Sequence, residues 1–192
     1  NGDFLTPVAR RLALFDTYDI LIPSPRPFDR GRELEETWQK FVPNTFMVWR
    51  ELEAEAEIPS IIFSPMFVED GRRLLISNLD LPFISGASGS LLNPTHGSLL
   101  STNAVELNRL MPDRFDDYPV RSAVRLNASF PYVSPAVSLP TDPPRRPVDA
   151  GYYDNYGVNI ACGWVAEHMN WFQENKVDVL LIQVRDSMGQ SA

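Results

Sequence analysis

The sequence predicts an α/β domain in which helices are layered on a mostly parallel sheet. Helical patterns alternate with short apolar runs along the chain, and this alternation is typical of the α/β class. Two of the runs, residues 58–64 and 177–184, are almost continuously apolar. A strand with one solvated face alternates polar and apolar residues, so we expect these two strands to be covered on both faces within one mostly parallel sheet.

The composition indicates a globular chain and argues against several classes of site. Of the 192 residues, 44% are hydrophobic and 22% charged, which is too apolar for a disordered chain. The net charge of −8 argues against binding nucleic acid through bulk charge, because a phosphate backbone requires a basic face. One cysteine and two histidines leave no basis for a disulfide framework or a cysteine- or histidine-rich metal site. We expect no metal, no other cofactor and no nucleic-acid partner.

The start of the chain and its apolar stretches bear on its location. No apolar stretch approaches the roughly 18 residues that a membrane-spanning helix requires. The chain begins at Asn1 with neither an initiator methionine nor a signal-peptide pattern, and we interpret this as a chain whose true beginning lies elsewhere. The compartment stays open, either intracellular or peripheral to a membrane.

The pattern of residues 1–57 predicts a helical segment. Residues 4–14 repeat apolar side chains at helical spacing, and the closely spaced prolines that follow exclude a helix in the next stretch. Asp29 is a good N-cap for a second helix that ends before Pro43. Residues 46–57 predict a third helix, whose acidic positions form a solvated face.

Residues 58–192 are predicted to form the sheet and to carry the site. The strand at 58–64 precedes the hairpin signal Asp70-Gly71, and residues 73–78 form the return strand. Residues 81–99 are rich in Gly, Ser, Asn and Pro and predict a long loop.

Helices dominate the prediction for the remaining chain. Residues 101–103 can cap a helix that runs to about Leu110, another helix begins at Val120, and residues 133–139 are extended. Residues 158–175 predict one long helix before the apolar run. Its inner face carries Ile160, Trp164, Val165, His168 and Trp171 or Phe172.

Ser88 is the candidate nucleophile that the sequence offers. The stretch Gly86-Ala87-Ser88-Gly89-Ser90 resembles a nucleophile elbow, but the elbow requires a second glycine where Ser90 stands. It also requires a strand before the serine and a helix after it, whereas the context here is a loop on both sides. We therefore expect an exposed loop serine out of hydrogen-bond reach of the Asp149 carboxylate.

The histidines and the cysteine have ordinary explanations. His96 lies in a predicted loop and is interpreted as a surface residue, although a loop could also hold a triad histidine. His168 lies between tryptophans on the last predicted helix, where packing is the simpler interpretation. Cys162 has no partner thiol and is interpreted as an inert, buried cysteine.

Asp149 stands out because small and aromatic residues follow it before the long helix. Local chemistry permits two interpretations. In the first, the carboxylate bonds its own backbone in a turn and Gly151 takes a positive φ. In the second, Ala150 and Gly151 let the chain pass close to another segment, and the carboxylate points into an active site.

The sequence around Asp149 resembles a known family. Val148-Asp149-Ala150-Gly151-Tyr152-Tyr153-Asp154-Asn155-Tyr156-Gly157-Val158 is similar to the D-G-G/A block of patatin-like phospholipases. Upstream, Ala123-Val124-Arg125-Leu126-Asn127-Ala128-Ser129-Phe130-Pro131-Tyr132-Val133-Ser134-Pro135 resembles the family's A-x-x-A-S-x-A-x-P segment. The resemblance covers residues 58–184 and is strongest over 120–157.

The resemblance implies a three-layer α/β/α sandwich and hydrolysis of lipid acyl esters by a Ser–Asp dyad. It implies that Asp149 is the dyad aspartate, which accepts the proton of the serine hydroxyl and later activates water. The family's G-G-G-x-R-G oxyanion loop and G-x-S-G-G elbow, which precede the matched region, are not found in this sequence. Residues 1–192 are therefore expected to be the C-terminal part of a single patatin-like domain.

Three functional hypotheses follow from the resemblance. In the first, the chain supplies the aspartate of a lipid acyl hydrolase, and an upstream segment carries the nucleophile serine. The apolar lipid substrate then suggests contact with a membrane surface. In the second, the chain is a lipid-binding or regulatory module without a nucleophile. In the third, Ser88 and Asp149 together form a self-sufficient hydrolase.

Overall fold

The computed structural model describes residues 5–10, 30–81, 104–130 and 136–185. Ser88, His96 and almost all of the predicted loop at 81–99 lie outside these residues. The described residues form a mixed α/β fold, so the predicted fold class is confirmed at that level.

A small mixed sheet lies at the centre of the described fold. Its four strands have the order β3-β2-β1-β4. Strand β1 pairs antiparallel with β2 and with β4, whereas β2 and β3 run parallel. The prediction of a mostly parallel sheet is therefore wrong for the described residues. The strands are β1 (Met66–Phe67), β2 (Arg73–Leu75), β3 (Ala104–Glu106) and β4 (Pro147–Val148).

The helices agree with the sequence prediction best where their signals are local. The helices predicted after Asp29, at 46–57 and from Val120 are confirmed, with ends that differ by a few residues. In chain order the helices are α1 (Leu5–Arg10), α2 (Arg30–Trp38), α3 (Phe46–Ala54), α4 (Leu107–Leu110), α5 (Pro112–Phe115), α6 (Val120–Asn127), α7 (Gly151–Asp154), α8 (Val158–Glu167) and α9 (Met169–Asn175).

Apolar clusters lie on both faces of β2. Successive strand residues point to opposite faces, so Leu74 and Ile76 share one face and Leu75 lies on the other. The first face belongs to a cluster that contains Phe46, Phe63, Phe67, Leu107, Phe115, Val120, Ala123, Leu126 and Leu139. The second face belongs to a smaller cluster with Leu81, Ala104 and Ile160. Helix α6 thus contributes to one face of the strand and α8 to the other.

The hairpin between β1 and β2 is confirmed, and it explains why the sheet is mixed. Gly71 adopts a positive φ of 70°, a conformation that most side chains disfavour, and the chain reverses there. The N–H of Gly71 donates to the carbonyl of Phe67 over 2.9 Å. A tight reversal of this kind can only produce antiparallel neighbours.

The predicted strand at 58–64 is wrong apart from one residue. Phe63 and Ile76 exchange both backbone hydrogen bonds at 3.0 Å as an isolated antiparallel bridge. Pro59 and Pro65 have no N–H to donate, so a ladder cannot extend through them. The N–H of Ser64 instead donates to the side chain of Asn127 over 2.8 Å.

The helix predicted from the cap at 101–103 to Leu110 is only partly correct. Residues 104–106 form β3, and α4 begins at Leu107. The buried carboxylate of Glu106 accepts hydrogen bonds from Leu81 N at 3.0 Å and from Arg109 Nε at 2.7 Å. The bond from Leu81 is non-local and favours the strand at a position where local capping favours a helix.

The single helix predicted at 158–175 is two helices that meet at His168. That residue has φ −95° and ψ 8°, outside the helical region, and it ends α8 and precedes α9. Ile160 and Phe172 are buried as predicted, whereas Trp171 is exposed.

The predicted strand at 177–184 is also wrong. This stretch has no regular structure, and Leu180, Ile182 and Val184 are 80%, 78% and 84% exposed. The apolar pattern is real, but a strand needs a neighbour to receive its backbone hydrogen bonds. Past Val177, the backbone of this run makes no such bond to another described residue.

Replacement of Phe46 by alanine is expected to destabilise the chain strongly. Phe46 is 0% exposed, and its ring centroid lies 4.9 Å from that of Phe115. Removal of a buried phenyl ring costs about 3–5 kcal/mol in the free energy of unfolding. Phe41→Ala is the control, because Phe41 is 60% exposed. Urea denaturation measures the free energy of unfolding of both variants. Equal losses in Phe46→Ala and Phe41→Ala would contradict the assignment of Phe46 to the core.

Asp70 is expected to make the stability of the hairpin depend on pH. Burial raises the pKa of its carboxyl, but hydrogen bonds from Arg72 and Arg145 outweigh this and lower the pKa to about 2. A lowered pKa stabilises the fold above the unfolded value of about 4, and this contribution disappears as the pH falls towards 2.

Asp70→Asn should therefore reduce the free energy of unfolding at neutral pH. The difference in the free energy of unfolding between Asp70→Asn and the unsubstituted chain should become smaller as the pH falls below about 4. Urea denaturation at a series of pH values measures this difference, with exposed Asp117→Asn as the control. A difference that stays constant down to pH 3 would exclude the two arginines as its cause.

Candidate functional site

The backbone around Asp149 is fixed against the end of α6. Asp149 lies between β4 and α7, and its N–H donates to the carbonyl of Ser129 over 3.0 Å. The next N–H, that of Ala150, donates to the carbonyl of Asn127 over 3.1 Å. Two successive residues of the turn are therefore held by carbonyls that a helix end leaves available.

The side chains at the end of α6 extend this connection. The Oδ1 atom of Asn127 accepts the N–H of Ser64 over 2.8 Å, so one residue joins the Phe63 segment, α6 and the Asp149 turn. Ser129 is buried, and its hydroxyl donates to the carbonyl of Arg125 over 2.7 Å. The upstream segment of the family resemblance therefore contacts the Asp149 block through Asn127 and Ser129.

The Asp149 carboxylate is half-buried and held through one oxygen. Its Oδ1 atom accepts the N–H of Gly151 over 2.6 Å, which is the turn bond of the first interpretation. The positive φ expected at Gly151 is wrong, because this residue begins α7. Within the described part of the chain, Oδ2 has no hydrogen-bond donor.

Glycine is required at position 151 because a side chain would not fit there, not because the backbone adopts a turn conformation that other residues avoid. A Cβ atom at this position would lie 2.7 Å from Asp149 Oδ1 and 2.9 Å from Asn155 Oδ1. Both distances are shorter than a van der Waals contact, so a side chain here would displace the carboxylate. This agrees with the second interpretation, in which small residues allow a close approach.

Exposed aromatic rings surround the turn. Phe130 stacks on Tyr152 with ring centroids 5.7 Å apart, and both rings are exposed. Tyr153 and Tyr156 are exposed nearby in sequence. Two surface pockets lie elsewhere, one between α3 and α4–α5 and one between α9 and residues 177–179. Neither pocket includes Asp149 in its lining.

The other candidate residues are not brought to Asp149 by the described fold. Ser88 and His96 fall in the part of the chain that is not described, so the expected separation of Ser88 from Asp149 stays untested. His168 packs as predicted, with its ring 4.4 Å from that of Trp164 and Nδ1 2.7 Å from the Trp164 carbonyl. Cys162 is exposed on α8 with a free thiol, so the prediction that it is buried is wrong.

Among the described residues, no group of three or more His, Cys, Asp or Glu side chains could hold a metal ion. The helices that these residues form are too short or too polar to cross a membrane.

Sequence reasoning missed Arg73, which lies close to the Asp149 turn. It is 1% exposed, and its guanidinium carbon lies 4.5 Å from the ring centroid of Tyr153. The available signal was strand alternation, since residue 73 shares a face with buried Leu75. Because residues 74–76 are all apolar, the sequence pattern did not single out the buried position of Arg73.

Comparison of the chain with protein-family models, with curated proteins and with solved structures finds no match. The resemblance around Asp149 therefore rests on the residues quoted for it.

Gly151→Ala is expected to displace the Asp149 carboxylate, because the added methyl group would occupy the space next to Oδ1. The fold should survive, since residue 151 is exposed at the start of a four-residue helix. A crystal structure of the variant would show the broken bond from the Gly151 N–H, and circular dichroism checks the fold. An unmoved carboxylate would contradict the steric argument.

Proposed function

We propose that this chain supplies the aspartate of a lipid acyl hydrolase with a Ser–Asp dyad, and that Asp149 is this aspartate. One observation carries the proposal. The carboxylate is oriented by the Gly151 N–H on a turn anchored to α6, while Oδ2 is left without a donor among the described residues. A general base needs this combination of a fixed orientation and an available oxygen.

The proposed reaction proceeds in two steps that use the same oxygen. Asp149 accepts the proton of the nucleophilic serine as the serine oxygen attacks the acyl carbonyl. The leaving alcohol then takes that proton from Asp149. In the second step the carboxylate accepts a proton from water, which attacks the acyl carbon of the acyl-enzyme. The bond to the serine oxygen breaks, that oxygen takes the proton from Asp149, and the fatty acid is released. The mechanism requires neither a metal nor another cofactor.

The nucleophile and the oxyanion hole are proposed to come from an upstream segment of the same domain. The exposed apolar run at 177–184 supports this, because Leu180, Ile182 and Val184 lack the cover that a further segment of the domain would provide.

A three-layer α/β/α sandwich is the proposed architecture of the complete domain, with residues 1–192 as its C-terminal part. The apolar clusters on the two faces of β2 support it, since α6 contributes to one and α8 to the other.

The proposed substrate is a lipid acyl ester met at a membrane surface. The exposed rings of Phe130 and Tyr152 beside the Asp149 turn support this, because aromatic side chains can contact both apolar chains and water. An intracellular or membrane-peripheral location would suit such a substrate.

The proposal is tested by assaying three proteins on a short-chain nitrophenyl ester. These are the isolated chain, a longer polypeptide that includes the upstream segment, and the longer polypeptide with Asp149→Asn. We expect no turnover from the isolated chain, because it lacks a nucleophile. The substitution should reduce turnover by at least about 10²–10⁴ with little loss of stability, since it removes the base and keeps its shape.

Asp154→Asn is the matched control. Asp154 belongs to the same motif and is also half-buried, but its carboxylate accepts the N–H of Asn159 over 3.0 Å at the start of α8. This variant should retain activity. Full turnover in folded Asp149→Asn would remove Asp149 from the mechanism, and activity of the isolated chain would favour Ser88 as its nucleophile. Lipid binding without turnover by the longer polypeptide would favour a regulatory module.

A further inference from the structure

Arg73 is a buried cation whose hydrogen-bonding groups are not satisfied. Its side chain is on β2, between β1 and β3, and the residue is 1% exposed. The Nε and Nη1 atoms are buried and find no hydrogen-bond acceptor in the described structure. An unsatisfied buried donor costs free energy, and a charged one costs more.

Other arginines in the described residues have carboxylate partners. Arg72 and Arg145 share Asp70, Arg109 bonds Glu106, and Arg146 bonds Glu69. Apart from buried Glu106, the groups in these pairs lie at or near the surface, where a partner matters least. Arg73 is the more buried cation, and the contact that the structure gives it is with an aromatic ring.

That ring separates Arg73 from solvent beside the Asp149 turn. The guanidinium carbon lies 4.5 Å from the Tyr153 centroid, within the range of a cation–π contact. Tyr153 is 39% exposed and belongs to α7, a helix of four residues. A small rotation of one exposed ring would therefore open a path from water to the buried guanidinium.

We propose that Arg73 forms a binding site for a small oxyanion, a phosphate or a carboxylate group, which enters on the Tyr153 side. The guanidinium is planar and presents parallel N–H groups that match two oxygens of such an anion. The anion would supply the acceptors that Nε and Nη1 lack. This site goes beyond the proposed hydrolase, because it does not require Asp149 to be catalytic.

Calorimetric titration of the chain with inorganic phosphate, and separately with acetate, tests the proposal. At least one anion should bind, and Arg73→Met should weaken it by about tenfold or more, the loss expected for a charge-assisted hydrogen bond. The variant should fold, because an apolar residue of similar size often replaces a buried charge without loss of stability. Arg146→Met is the control, since Arg146 is exposed and paired with Glu69.

The two titrations also distinguish the source of the anion. Binding of phosphate alone indicates a phosphate ester as the ligand, and binding of acetate alone indicates a carboxylic acid. Equal affinity in Arg73→Met and the unsubstituted chain, or no binding of either anion, would overturn the proposal.

A second measurement does not depend on the folding of a variant. The Nε–H resonance of Arg73 should shift in the nuclear magnetic resonance spectrum of the unsubstituted chain when the anion is added, because this N–H gains an acceptor. Arg73→Lys should keep part of the affinity, since it keeps the charge and loses the planar fork. An Nε–H signal that does not move while calorimetry reports binding would place the anion elsewhere and reject the site.

Discussion

Asn127 makes the connection on which the arrangement of the site depends. Its side-chain oxygen accepts the N–H of Ser64, and its backbone carbonyl accepts the N–H of Ala150. These bonds join segments 63 and 23 residues away from it in the sequence. Loss of the Asn127 side chain would leave the backbone N–H of buried Ser64 without its acceptor, which typically costs about 1–3 kcal/mol.

The position of Asn127 is in turn fixed by the packing of α6. Val120, Ala123 and Leu126 are spaced at helical intervals and are buried in the larger apolar cluster. On its other side the helix is held to α2, where Glu35 bonds Ser122 and Arg125. The orientation of the Asp149 carboxylate therefore depends on the core through a helix, not only on its own turn.

Local signals predicted the helices and the hairpin, and non-local contacts explain the failures. The helix Arg30–Trp38 and the turn at Gly71 depend on neighbouring residues, so the sequence reveals them. The runs at 58–64 and 177–184 required pairing partners that no local pattern specifies. In the site, the motif identified Asp149, but the steric need for Gly151, the bonds of Asn127 and the burial of Arg73 arise from tertiary packing.

The apolar run at 177–184 and the guanidinium of Arg73 both indicate contacts beyond the described residues, but of different physical kinds. Burial of Leu180, Ile182 and Val184 is non-directional, so any well-fitting apolar surface would stabilise the run. Arg73 needs hydrogen-bond acceptors in defined positions, which apolar side chains cannot provide. Burial of the apolar run would therefore not by itself satisfy the cation. For this reason the hydrolase and the oxyanion site stand as independent hypotheses, even though Tyr153 lies only four residues beyond Asp149.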